Sequence, residues 1–350
     1  MKALLLTSPS SLMFTDIETP QPAAGDVRVK IAACGICGSD VHGYTGSTGR
    51  RVPPLVMGHE AAGTIDAVGP DVSGEMIGQR VALDSTVFCS ECEFCRNGQE
   101  NLCTDRQVLG VSCDAYRRHG CFAEYVIVPK RCVYPLPDHM DFIAASLLEP
   151  LTIGLQAVRL GNAGPTTRSA VVVGAGTIGL AIVAALKAYG VQRIAAVDLD
   201  AGRLKEAKDL GADDVFDAAQ VNPKQLTEWG ASSVDTDGAD MVLEAVGAAA
   251  SVNTAIHAVT RGGTVVLVGN VSPAVEIPLQ TIVTRQIRLQ GSCASAGCYP
   301  EAIRFAASGK VDLSRFVSRV APLAEGVGWF ERLHNRETGL LKVVLQPSEP

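Results

Sequence analysis

Positive charge is nowhere in excess in this chain. Its 350 residues carry 30 Lys and Arg against 37 Asp and Glu, a net charge of −7, with a pI near 5.4. Nucleic acids and anionic membranes are bound through clustered Lys and Arg; no such cluster stands out, so neither is expected as a partner. A secretory segment is missing as well: the apolar run Met1-Lys2-Ala3-Leu4-Leu5-Leu6 breaks at Ser8-Pro9-Ser10-Ser11, too early for a signal peptide. A first strand and a cytoplasmic protein are expected. Long unbroken apolar runs are also lacking. Ala170 to Leu186 comes nearest, but a glycine turn interrupts it, and a buried parallel strand followed by a buried helix has this composition, so no membrane span is expected.

Paired cysteines are the last absence. The count of 11 is odd, the chain is long for a disulfide scaffold, and four of the cysteines crowd between Cys89 and Cys103. Metal binding in a reducing compartment explains that crowding better than disulfides do. With 47% hydrophobic residues, the length allows two domains with sizeable cores.

The stretch Ala170 to Asp198 organises the rest. An apolar strand, Ala170-Val171-Val172-Val173, enters the turn Gly174-Ala175-Gly176-Thr177-Ile178-Gly179, then a helix to about Tyr189 and a second strand, Ile194 to Val197, closed by Asp198. Gly174 permits the sharp turn, Gly176 lets a pyrophosphate approach the main chain, and Gly179 allows close helix–strand packing. The helix start at Thr177 and Ile178 offers free N–H groups to phosphates. Asp198, about 20 residues past the last glycine, can accept hydrogen bonds from ribose hydroxyls and repel a 2′-phosphate, which favours NAD over NADP.

From Met1 to about Pro150, short apolar segments (Val27 to Ala33, Ala61 to Val68, Arg80 to Leu83, Phe122 to Val128) alternate with Gly- and Pro-containing loops. That pattern predicts a β-rich unit. Two of its loops hold residues suited to transition metals: Cys34-Gly35-Ile36-Cys37-Gly38-Ser39-Asp40-Val41-His42 and Gly58-His59-Glu60. A third, Cys89-x-x-Cys92-x-x-Cys95 with Cys103, can surround one Zn²⁺ tetrahedrally. Bacterial ferredoxins begin with the same spacing, but here the last gap is too long, Thr104 stands where proline would, and no second set exists. Structural zinc is expected. Cys34, Cys113, Cys121, Cys132, Cys293 and Cys298 read as small buried apolar residues. Arg117 and Arg118 could bind a substrate phosphate or carboxylate, or simply form a solvated loop.

Cys-Gly-x-Cys-Gly-Ser-Asp-x-His, Gly-His-Glu, the cysteine-rich loop and the dinucleotide unit together resemble the zinc-dependent medium-chain dehydrogenases over nearly the whole chain. Ser39 to His42, residues 58 to 60 and Glu149-Pro150-Leu151 are most similar to the sorbitol (polyol) dehydrogenase branch. The resemblance implies a GroES-like β-rich catalytic domain (1–150 and 291–350) and a Rossmann domain (151–290) with a doubly wound parallel sheet, hence an α/β protein. It implies a catalytic zinc on Cys37 and His59, with Glu60 and Glu149 beside them; which carboxylate ligates stays open. Asp40 would orient His59. Ser39 would pass the released proton toward His42, for which an ordinary surface histidine is the other reading.

In the second half, strands at Val171, Ile194 to Val197, Val215-Phe216, Met241 to Val246, Thr264 to Val268 and Ile287 to Gln290 are expected to form one parallel sheet. By resemblance Arg203 packs near the adenine, and Val246, Val268 and Gly269 line the nicotinamide side. Helices over about Leu151 to Leu160 and Pro300 to Ser308, a terminal strand over Gly339 to Leu345, and fraying of Pro347 to Pro350 are expected. Where polyol dehydrogenases carry an Arg-Tyr pair, this chain aligns Ala294 and Ser295. The implied activity is zinc- and NAD-dependent oxidation of a secondary alcohol of a polyol or sugar derivative to the ketone. A dehydrogenase for a sugar acid, polyol phosphate or L-threonine is the alternative, and a non-catalytic nucleotide-binding module a third reading. The family is commonly tetrameric or dimeric, so a homo-oligomer, with a homotetramer foremost, is implied.

Overall fold

The computed structural model describes residues 1–231 and 237–347; residues 348–350, part of the tail expected to fray, lie outside them. Two compact units emerge. One comprises Met1–Glu149, Tyr299–Ala307 and the chain from Leu313 on; the other comprises Pro150–Cys298 and Ser308–Asp312.

The first unit is built around strand β1 (Asp26–Gly35). Its Val27, Val29, Ile31 and Ala33 recur with the two-residue period of a strand and are wholly buried. Gly38–Tyr44 forms helix α1, and strand β2 (Glu60–Val68) runs antiparallel to β1 in a register that sets Glu60 against Gly35. The terminal strand Val343–Gln346 pairs with the other edge of β1, Val344 against Gly35. These two registers bring Glu60 and the residue preceding the last strand, Lys342, to one end of β1. A Cβ at Gly35 would stand 2.3 Å from Glu60 Oε2, so glycine is what allows the carboxylate to lie there. The terminal strand begins at Val343, not at Gly339: Gly339 has φ +79° and belongs to a turn.

The second unit holds six parallel strands: β3 (Ser169–Val173), β4 (Arg193–Asp198), β5 (Asp214–Asp217), β6 (Ala239–Glu244), β7 (Val259–Leu267) and β8 (Arg288–Gly291), in spatial order β5-β4-β3-β6-β7-β8. All of β3 is buried, as a central parallel strand covered on both faces must be. Helix α2 (Thr177–Ala188) follows it. The order reverses between β3 and β6, the switch point at which such sheets bind ligands outside the carboxyl ends of their strands. The helix expected from Leu151 spans Leu148–Leu160, which puts Glu149 in its first turn.

Candidate active site

Cys37 precedes α1, and its backbone N–H donates to Asp40 Oδ2 at 3.3 Å. Asp40 is wholly buried, and its other oxygen, Oδ1, stands 3.3 Å from His59 Nδ1. One carboxylate thus addresses the main chain of one candidate ligand and the ring of the other. Burial alone would raise the Asp40 carboxyl, but His59 and Arg51 outweigh it and hold it well below its ordinary range. His59 is pushed down by burial and up, by more, by Asp40 and the Cys37 thiol, so its pKa lies well above the usual value.

Cys37, His59 and Glu60 place a sulfur, a ring nitrogen and a carboxylate oxygen within 4.8 Å of one another. Glu149 is not in that group. Its Oε1 accepts from Ser85 Oγ at 3.2 Å, and burial pushes its carboxyl up to about 7, with His59 pulling down and Glu60 pushing up. Ser39 Oγ lies 3.5 Å from His59 Nε2. Ser39 and His42 are both exposed on α1, three positions apart, so they share a helix face. A thiolate, an imidazole and a carboxylate fit a catalytic zinc, which takes three protein ligands and keeps one position open.

Sequence reasoning missed Lys342. Its ammonium lies 2.7 Å from both Glu60 oxygens and 3.0 Å from the Ile36 carbonyl, with side-chain exposures of 2% and 1% for the pair. Burial lowers the Lys342 pKa, and Glu60, Cys37 and Glu149 together raise it by more, so it stays charged. A lysine entering the apolar run Val343-Val344-Leu345 was a visible anomaly, but the partner is 282 residues away.

Asp84 was missed too. It is 6% exposed, its Oδ1 accepts from Thr86 N at 2.8 Å, and burial raises its carboxyl from 3.8 to about 7. Between those values the folded chain holds a proton that the unfolded chain has released, so stability falls as pH rises through that interval. Asp84→Asn keeps the acceptor and removes the titration. Melting curves should show it more stable than the parent by about 1–3 kcal/mol at pH 8 and indistinguishable at pH 4. An equal difference at both pH values would contradict this.

Cys89, Cys92, Cys95 and Cys103 form the second cluster, within 4.8 Å. Sulfur–sulfur separations of 3.9, 3.5 and 3.5 Å bracket the roughly 3.8 Å edge of a tetrahedron with Zn–S bonds of about 2.3 Å. Backbone N–H groups of Glu91 and Cys92 donate to Cys89 Sγ and lower its pKa, as a metal-bound thiolate requires. Of the six cysteines expected to be buried, Cys34, Cys121, Cys132 and Cys298 are; Cys113 is half-buried and Cys293 is exposed in the segment after β8.

Arg117 and Arg118 are partly engaged by the protein, with Arg118 Nε buried and without a partner among the described residues. They form a short strand beside Val111–Ser112, with Arg117 donating to Ser112 Oγ and the Pro53 carbonyl and Arg118 to Gln107 Oε1. His119 accepts from Val56 N.

In the second unit the glycine turn is built as its spacing implies. Gly174 has φ +96°, and a Cβ on Gly179 would fall 1.7 Å from the Gly174 carbonyl oxygen, while one on Gly176 would meet nothing within 4 Å. That open face lies at the start of α2, where Thr177 and Ile178 present N–H groups. Asp198 Oδ2 accepts from Ala175 N at 2.6 Å and Oδ1 from Asp200 N at 2.9 Å, which fixes the carboxylate at the end of β4. Arg203 is exposed in the first turn of the following helix, its N–H capped by Asp200. Val246 and Gly247 follow β6, and Val268 and Gly269 follow β7. Glu244, also unforeseen, ties these turns together: its Oε1 accepts from Val246 N and Gly247 N, and its carbonyl from Val268 N and Gly269 N.

Comparison with known proteins agrees with this geometry. The sequence profile of the alcohol dehydrogenase GroES-like domain matches residues 23–138, and that of the zinc-binding dehydrogenases matches residues 177–308. The chain is 36% identical to L-idonate 5-dehydrogenase of Vitis vinifera, over 84% of its length and 80% of the relative's. It is 33% identical to sorbitol dehydrogenase of Bacillus subtilis, over 99% and 98%. An alcohol dehydrogenase of Escherichia coli CFT073, solved with NADH, superposes with a TM-score of 0.90 at 31% identity and covers 99% of both chains. A thiol–imidazole–carboxylate cluster, a four-cysteine cluster and a glycine turn closed by Asp198, found along a chain matched nearly end to end by such relatives, make this protein a member of the zinc-dependent medium-chain dehydrogenases, in their sorbitol dehydrogenase-like branch.

Proposed function

We propose that the chain oxidises a secondary alcohol of a neutral polyol or sugar derivative to the ketone, with NAD as hydride acceptor. The observation that carries this is the gathering of Cys37, His59 and Glu60 within 4.8 Å in a chain whose dinucleotide turn ends in an acidic residue, Asp198. Cys37 and His59 would hold the zinc, with Glu60 or Glu149 as the third donor. Glu60 is the poorer candidate because both its oxygens face the Lys342 ammonium. When bound, zinc lowers the pKa of an alcohol hydroxyl and NAD takes up hydride. Around it, Asp40 orients the His59 ring, Lys342 neutralises Glu60, and Ser39 and His42 lie on one face of α1 to carry the released proton away. The cluster Cys89 to Cys103 would hold a structural zinc.

Asp198 would accept hydrogen bonds from the adenosine ribose. Asp198→Ser should lower kcat/KM with NAD by about 10–100-fold, the loss expected for hydrogen bonds to a charged acceptor, while NADP improves relative to NAD. Unchanged preference in that variant would remove the assignment.

Support for a neutral substrate comes from Arg117 and Arg118, whose guanidinium groups are engaged by Ser112, Pro53 and Gln107. A sugar acid is the second reading, favoured by the name of the Vitis vinifera relative. NADH formation from NAD with sorbitol, xylitol, galactitol, butanediol, L-threonine, sugar acids and polyol phosphates decides between them. A neutral polyol should win; a sugar acid or phosphate as clear winner overturns the first reading. Among the described residues no helix is long and apolar enough to cross a membrane. A cytoplasmic homo-oligomer, a tetramer or a dimer, is the accompanying expectation.

A further inference from the structure

Arg51 lies outside every motif named so far, yet it is 6% exposed. A guanidinium is always charged and is costly to bury without a partner. Its partner is Asp40: Arg51 Nη2 stands 3.1 Å from Asp40 Oδ1, the same oxygen that faces His59 Nδ1 at 3.3 Å. The same Nη2 reaches Ser39 Oγ at 3.5 Å, and Ser39 Oγ is in turn 3.5 Å from His59 Nε2. Nη1 donates to the Arg50 carbonyl. The stem of Arg51 crosses α1 at Gly43, where a Cβ would fall 2.3 Å from Arg51 Cγ. The helix therefore carries a glycine where the arginine passes.

We propose that Arg51 is a positioning residue that couples the metal-ligand end of the site to the proton-carrying end. Through Asp40 it holds the carboxylate that orients His59 and caps the Cys37 main chain. Through Ser39 it supplies a fixed donor to the hydroxyl oxygen, so the hydroxyl's own proton must point away from the guanidinium. When Ser39 hands on a proton, the charge gathering on its oxygen is met by the same donor. The inference deepens the proposed function and rests on Cys37 and His59 holding zinc.

Three variants separate the two contacts. Arg51→Met keeps the stem and loses every donor; Arg51→Lys keeps a charge for Asp40 on a chain one bond shorter, which falls short of Ser39 Oγ, already at the 3.5 Å limit; Gly43→Ala displaces an intact arginine. The readouts, on the full-length zinc-loaded protein, are the rate at which zinc passes to a colorimetric chelator, kcat with the best alcohol of the panel, and the Kd for NADH. Arg51→Met should release the faster-leaving zinc about 10–100-fold sooner, the range expected when a ligand loses its orienting partner, and lower kcat by a similar factor with the NADH Kd unchanged. Arg51→Lys should recover zinc retention but not kcat, and Gly43→Ala should lower kcat with the NADH Kd unchanged. Zinc release and kcat within twofold of the parent in Arg51→Met and Gly43→Ala would overturn the proposal. A parent chain that holds no zinc beyond the four-cysteine site would instead overturn the zinc reading itself, whatever the variants do.

Discussion

Cys37→Ser lowers NADH formation by about 10³-fold or more and leaves zinc only at the four-cysteine cluster. The size follows from the chemistry of the donor set. Metal assistance contributes several kcal/mol to such an oxidation, and each 1.36 kcal/mol is a factor of about ten. A serine hydroxyl at this position neither ionises near neutral pH nor offers the soft donor that zinc prefers. Asp40 would still accept from the residue-37 N–H and face His59, so the fold around the site persists. The cysteines at 89, 92, 95 and 103 form a separate cluster, so the melting temperature should move little. The check is zinc per chain by elemental analysis alongside steady-state rates. Full turnover in Cys37→Ser, or loss of both zinc ions, would contradict the assignment. Cys113→Ser is the matched control: Cys113 is a half-buried thiol outside both clusters, and neither quantity should change.

Lys342→Met carries the second large effect, on stability. The Lys342–Glu60 pair is almost wholly buried, and removing one partner strands a carboxylate in the interior at a cost of about 3–5 kcal/mol. Replacing both partners by apolar residues of similar volume is often neutral or better, so Glu60→Leu with Lys342→Met should recover most of the loss in urea or thermal unfolding. The double variant also tests Glu60 chemically. If Glu60 serves only to balance Lys342, the double variant keeps its zinc; if Glu60 is the carboxylate ligand, the catalytic zinc leaves. A single Lys342→Met variant as stable as the parent would mean that the pair does not form.

What the sequence revealed and what it hid divide along one physical line. The glycine turn with Asp198, the six parallel strands and the four-cysteine loop could be read because each is local. Close backbone approaches at Gly174 and Gly179 demand glycine, and four thiols spaced for one ion have few other uses. Cys37 and His59 could be paired only through a family resemblance, since nothing between them records that β1 and β2 lie side by side. The partners of Lys342 and Arg51 were hidden for a related reason. A lone lysine or arginine is usually solvated, and only the strand registers at Gly35 and the passage over Gly43 convert these two into buried partners of Glu60 and Asp40. The paired arginines at 117 and 118 were ambiguous in the sequence. Two adjacent charges can mark an anion site or a solvated loop, and only the structure shows that a two-residue strand and three protein acceptors engage part of each side chain. Cys293 and Cys113 escaped for want of any pattern: composition says that cysteines are usually buried and is silent about individual ones.

The most direct test is NADH formation by the wild-type chain while a chelator removes its zinc, with metal content followed in the same samples. The account predicts that turnover falls in step with the zinc that leaves first, stays negligible once that ion is gone although the four-cysteine zinc remains, and returns when Zn²⁺ is added back. Turnover that continues at the full rate after that zinc has left would contradict a metal held by Cys37 and His59 as the centre of the chemistry.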